Sequence, residues 1–136
     1  MMTVSMSRTL NVSIGVAPQK VYDFVSSGAN LSKWAPAFCL SAKQSKDGWL
    51  VETPQGPVTI RLAPKNSFGV VDHDVIPAKG PAVHVPMRVI PNGSGTEVLL
   101  TLFKTSDMSD ERFNEDVRLV QQDLATLKKV LETGRA

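Results

Sequence analysis

The sequence predicts an α+β domain, an antiparallel sheet of seven strands with two short helices after the first strand and a long helix at the C-terminus. Three observations carry this expectation. Residues 8–16 alternate Leu10, Val12, Ile14 and Val16 against Thr9, Asn11 and Ser13, the period-two pattern of a strand with one buried face. Between residues 39 and 105, turn clusters at 46–48, 54–57, 64–67, 77–81 and 91–95 cut the chain into short β-rich runs. Finally, Phe113, Val117, Val120, Leu124, Leu127 and Leu131 advance by four, three, four, three and four residues, one continuous apolar stripe on a helix.

After the strand at 8–16, Pro18 suits a first helical turn and Val21, Phe24 and Val25 share a face, so a helix spans about 18–27 although Ala17 offers no capping oxygen. Ser26-Ser27-Gly28 ends it. Asn30 is placed to cap a second short helix carrying Leu31 and Trp34, with Pro36 near its end. Six strands follow at about 39–45, 49–53, 57–63, 68–76, 82–90 and 96–105. For the helix at about 110–133, Asp107 or Ser109 can cap the start, Asp110 and Glu111 sit at its positive end, and Lys128 and Lys129 lie near its negative end. At about 1.5 Å per residue it reaches roughly 35 Å, enough to cross a sheet.

Composition sets the bounds. The 136 residues make one domain, 1–136 with an ordered core of about 8–133, long enough to bury a core without disulfides or metal. Fifteen Lys and Arg stand against thirteen Asp and Glu, and the basic residues are scattered, so nucleic acid is not an implied partner. No apolar run approaches the roughly 18 residues of a membrane span. The start, MMTVSMSRT, lacks the apolar core of a secretory signal, which makes a cytoplasmic location the default expectation. Cys39 is the single cysteine and reads as a buried small hydrophobe. Asn92-Gly93-Ser94-Gly95 joins two strands rather than a strand to a helix, so it reads as a turn and not a phosphate cradle. The sequence points to no cofactor and no metal.

Hairpin registers sort the residues onto faces. Turns at 64–67 and 92–95 place Ile60 opposite Val71 and Val58 opposite His73, and Val89, Met87 and Val85 opposite Val98, Leu100 and Leu102. Pairing across 77–81 puts Val71, His73 and Val75 beside Met87, Val85 and Val83. Asp72, Asp74, His84, Arg88 and Arg61 then share the other face, with Asp74 across from His84 and Asp72 or Val70 near Arg88. The apolar face should meet the long helix, and His73 is its polar exception. Leu99, Phe103, Ile90 and Val70 point outward beside the charges, a surface open to a homodimer contact or simply scattered apolar residues.

The order strand, two short helices, six strands and long amphipathic helix resembles the SRPBCC superfamily, which includes START lipid-binding domains and polyketide cyclase/dehydrase-like proteins. VSIGVAPQKVYDFVSS (12–27), NLSKWAPAF (30–38), PNGSGTEVLLTLF (91–103) and DMSDERFNEDVRLVQQDLATLKKVLE (107–132) carry the likeness. It implies a helix-grip fold, in which a seven-stranded curved antiparallel sheet holds the C-terminal helix across its concave face and encloses a cavity for an apolar small molecule. The chain departs from the pollen-allergen branch in lacking its Gly-rich loop, and from Rieske proteins in lacking paired Cys and His ligands.

Within that frame Trp34, Phe38, His73, Val85, Met87, Leu100, Phe113, Val117 and Val120 are candidate cavity residues. His73 is the candidate for chemistry, because an imidazole on an inner face can orient a ligand or move a proton. Asp72 and Asp74 cannot converge with it on a metal, since neighbouring strand residues face opposite ways. The parity of 49–53 is open: Trp49, Val51 and Thr53 compete with Leu50 and Glu52 for the inner face, and an inward Glu52 could pair with His73. Three functions follow as expectations: binding of an apolar or aromatic ligand, of lipid or polyketide type; a cyclase/dehydratase-like enzyme with His73 as general acid–base; or an interaction module working through the outer face around Phe103.

Overall fold

The computed structural model describes residues 3–134. Met1, Met2, Arg135 and Ala136, part of the expected 1–136 domain, lie outside the described residues. The elements are β1 (Ser7–Ile14), α1 (Pro18–Val25), a 3-10 turn (Gly28–Asn30), α2 (Leu31–Trp34), β2 (Ser41–Ser45), β3 (Gly48–Thr53), β4 (Gly56–Leu62), β5 (His73–Pro77), β6 (Val83–Val85), β7 (Met87–Asn92), β8 (Gly95–Phe103) and α3 (Asp110–Thr133). The helix-grip order is present. The sheet differs from expectation: three strands run β1-β8-β7 and five run β2-β3-β4-β5-β6, giving two sheets and not a single seven-stranded one.

Pro86 is the reason. It has no N–H to give to a ladder, so the run expected as one strand at 82–90 divides into β6 and β7. Before the proline, β6 pairs with β5, His73 opposite Val85 and Asp74 opposite His84. After it, β7 pairs with β8, Met87 opposite Leu100 and Val89 opposite Val98. Val85 therefore keeps His73 beside it in the ladder, as expected, and loses the expected pairing with Leu102. The sheets stay stitched at this bend, where Val71 N–H donates to the Met87 carbonyl (2.9 Å), Val89 N–H to Gly69 (2.8 Å) and Thr101 N–H to Pro86 (3.0 Å).

The β4–β5 register also departs from expectation, with Ile60 opposite Val75 and Leu62 opposite His73. A longer loop accounts for it. The Asn66 side chain accepts from the N–H groups of Phe68 (2.9 Å) and Val70 (3.1 Å) and donates to the carbonyls of Pro64 and Val70 (both 2.9 Å), while its own N–H donates to the Tyr22 hydroxyl. This knot holds the chain out of the ladder. Because the offset from the expected pairing is an even number of residues, every side chain keeps its expected face.

The parity of β3 is resolved by packing. Val51 and Thr53 are buried and Trp49 is half-buried, whereas Leu50 and Glu52 face solvent. Glu52 consequently points away from His73, and no acid–base pair forms between them. Trp49 lies against Gly28, where an added Cβ would stand 2.3 Å from the indole. Asn30 differs too: its side chain makes no cap for α2 and instead donates to the Phe24 carbonyl (3.0 Å), tying the 3-10 turn to the end of α1.

Ser109, not Asp107, caps α3, its Oγ accepting from Arg112 N–H at 3.1 Å. Gly134 closes the helix in the left-handed conformation, φ 71°, which costs glycine nothing. The C-terminal half is fastened to the end of β1. Leu124 and Leu127 are buried, Lys128 Nζ donates to the Ser13 carbonyl (2.6 Å), and the Glu132 carboxylate accepts from Gly15 N–H (2.7 Å).

Gly28→Ala should destabilise the fold by about 1–3 kcal/mol, because its methyl group must displace the Trp49 ring in a packed region. Urea denaturation measures this; a change below about 0.5 kcal/mol would show that Trp49 moves aside freely.

Candidate ligand cavity

A partly open, predominantly apolar cavity of about 260 Å³ lies between the sheets and the N-terminal half of α3. The short helices bring Trp34 and Phe38 to its wall, the strands bring His73, Val85, Met87 and Leu100, and α3 brings Val120. Phe113 and Val117 do not join them. Both are buried in the hydrophobic core, and the helical positions on the cavity are Arg112, Asp116, Leu119, Val120 and Asp123.

This difference has a geometric origin. Positions 112, 116, 119 and 123 repeat the four-three-four spacing of the apolar stripe, set back by one residue and hence by about 100° around the helix. The stripe of greatest hydrophobicity packs where contact is tightest, and its half-polar neighbour faces the open volume. That second spacing was readable in the sequence; what hid it was the presence of Arg112, Asp116 and Asp123. Sequence reasoning also missed Thr53 and Gln55, which the β3–β4 turn carries to the rim.

The strand alternation separates the three residues Asp72-His73-Asp74. Asp72 accepts from Met87 N–H (2.9 Å) and from Arg88 (3.0 Å), and Asp74 meets His84 Nδ1 at 2.8 Å, all on the outer face. His73 turns inward. Its Nδ1 lies 3.1 Å from the Val71 carbonyl, and a carbonyl only accepts, so Nδ1 carries the proton. Burial holds the His73 pKa below the ordinary histidine value, and the hydrogen bond to Val71 and the Asp72 charge offset only part of this. At neutral pH it is a neutral imidazole with its lone pair on Nε2.

Asp123 is a buried carboxylate on the opposite wall, 4% exposed. Its Oδ1 accepts from Ala37 N–H at 3.0 Å, and the Phe38 N–H, which donates to the Ala35 carbonyl, lies near the carboxylate, so Asp123 anchors the turn that follows α2. Loss of hydration outweighs these contacts and raises its pKa to about 6. The same burial, with the Asp123 charge nearby, pushes the Cys39 thiol up and makes it a poor nucleophile. At the rim, Arg112 donates from Nε to Asp116 (3.0 Å) and from its terminal nitrogen to the Gln55 side chain, bridging α3 to the β3–β4 turn. Trp34 Nε1 is sealed without a partner, the only such buried side-chain atom among the described residues.

The shape of the chain is shared with solved structures. A Bacillus thuringiensis protein of unassigned function superposes with a TM-score of 0.76 at 18% identity, over 92% of this chain and 98% of that one. Ara h 8.0201 matches with a TM-score of 0.72 at 16% identity, over 96% and 99% of the two chains. This chain has the helix-grip fold. BexL, a di-domain ARO/CYC from the BE-7585A biosynthetic pathway, matches with a TM-score of 0.72 at 15% identity over 93% of this chain, which spans about half (46%) of that protein. No family model and no curated protein matches the sequence. Among the described residues, no helix is long and apolar enough to cross a membrane.

The raised pKa of Asp123 predicts a pH signature. The folded state holds the Asp123 proton up to about pH 6, against 3.8 as the ordinary value, so its contribution to stability is greatest below about pH 4 and is lost as pH rises through about 6. Relative to Asp123→Asn, the native protein should lose up to about 3 kcal/mol over that window. Urea denaturation of both proteins from pH 4 to 7.5 tests this; a difference that does not vary with pH would contradict it.

Proposed function

We propose that this protein binds an apolar small molecule in the cavity between its sheets and α3. The observation that carries the proposal is the cavity itself: about 260 Å³ of partly open volume with a predominantly apolar wall and a single imidazole. Affinity comes from apolar area removed from water, and the polar groups set orientation. Trp34 and Phe38 supply flat aromatic contact, and His73 supplies a polar contact from the strand side. The fold shared with BexL, an ARO/CYC of a biosynthetic pathway, supports a small molecule as the partner of such a cavity.

Native mass spectrometry of freshly purified protein, beside its denatured mass and its organic extract, is the direct test. An extra mass released by solvent identifies the occupant. Met87→Trp, which places a large ring in the volume, should lower uptake of that occupant by at least tenfold while the protein stays folded. Unchanged uptake by a folded Met87→Trp protein would exclude this cavity as the site.

A second reading, cyclase/dehydratase-like catalysis, is favoured by one feature, the unpaired Nε2 of His73. A neutral imidazole can take a proton from a bound substrate and return it. If the extracted compound is turned over, His73→Ala should abolish turnover by a factor of about 100 or more while binding survives. Equal turnover in the variant would rule out His73 as the base.

A further inference from the structure

We infer that His73 makes the cavity selective for a compact phenolic ligand, one or two rings in size, whose hydroxyl donates a hydrogen bond to Nε2. The inference rests on the binding role proposed above and specifies the chemistry of its ligand.

Size is the first constraint. An apolar cavity of about 150 Å³ accommodates benzene, so a cavity of about 260 Å³ suits one ring or two fused rings held within its walls. Polarity is the second. The Val71 carbonyl fixes the His73 proton on Nδ1, which leaves Nε2 able only to accept. No group among the described residues bonds to Nε2, and it is not among the sealed atoms, so it opens onto the cavity that His73 lines.

The other polar side chains on the wall each have a protein partner, except Trp34 Nε1, which is sealed off from the cavity. Asp123 holds the Ala37 N–H, Thr53 Oγ bonds Gly56 and Gln55, and the Gln55 side chain and Asp116 are bonded to Arg112. His73 Nε2 is therefore the neutral side-chain acceptor on this wall that has no partner among the described residues, beside the second carboxylate oxygens of Asp116 and Asp123. A ketone or ether oxygen facing Nε2 would set lone pair against lone pair. A carboxylate or phenolate has no proton to give and loses its hydration in an apolar volume. A neutral hydroxyl satisfies Nε2 without either penalty, and a phenolic one is the stronger donor and stacks its ring against Trp34 and Phe38.

The test is isothermal titration of the whole protein at neutral pH with β-naphthol, which is un-ionised there, and with its methyl ether, which has the same rings and no donor. The native protein should bind β-naphthol about tenfold more tightly, the value of one well-made hydrogen bond. His73→Leu should bring the two affinities to within about twofold of each other by weakening naphthol alone. His73→Gln, whose amide oxygen can accept, should restore part of the preference. Equal affinity of the native protein for both compounds would overturn the inference while leaving the binding role intact, as would a preference that survives in His73→Leu. Binding of neither compound, together with the absence of any extractable occupant, would overturn the binding role itself.

Discussion

The seating of α3, with its apolar stripe in the core and the neighbouring half-polar stripe over the cavity, is the constraint on which the rest of the molecule depends. Leu124 and Leu127 are buried, and Lys128 and Glu132 reach Ser13 and Gly15 at the end of β1. Along the first half of this 24-residue helix, Phe113 and Val117 also reach the core, while Arg112, Asp116, Leu119 and Val120 face open space above the sheets. A fully packed interface along the whole helix would close that space. Deletion of packed volume in a core costs about 24 cal/mol per Å³, so 260 Å³ of unfilled interior costs at most about 6 kcal/mol. Solvent entry through the partly open mouth reduces that cost, and a bound molecule reduces it further by linkage.

The bend at Pro86 works with this arrangement. Splitting the expected 82–90 strand lets β1-β8-β7 and the five-stranded sheet face the helix at different angles, while the hydrogen bonds of Val71, Val89 and Thr101 keep the two sheets joined. His73 sits beside this junction, with Val85 as its ladder partner immediately before the proline. The residue with the most chemical potential in the wall thus stands where the backbone is held from both sides. Its tautomer is set by the Val71 carbonyl in the same junction, so fold geometry and site chemistry share one set of hydrogen bonds.

Charge is distributed by depth. Polar pairs such as Asp72 with Arg88 and Asp74 with His84 occupy the outer face, where each contributes little to stability. Arg112 and Asp116 occupy the rim, within reach of water. Asp123 is the exception, a buried carboxylate that satisfies the Ala37 N–H in the turn after α2. That turn carries Ala37 and Phe38 to the cavity wall, so a group expensive to bury shapes the entrance side of the site.

Local pattern determined much of this protein from sequence alone. Alternation in β1, the turn clusters, the α3 stripe and the inward direction of His73 all follow from periods of 2 and 3.6, which depend only on near neighbours. The face of His73 survived a wrong β4–β5 register because an even offset preserves parity. Tertiary structure decided what no period encodes. Both parities of 49–53 offered apolar residues, and only the fit of Trp49 over Gly28 selects one. Likewise, α3 carries two adjacent stripes, and only its rotation against β1 assigns Phe113 and Val117 to the core and Arg112, Asp116, Leu119 and Asp123 to the cavity. A periodic pattern specifies a direction from the element's own axis, whereas the partner met in that direction is set by packing between elements distant in the chain.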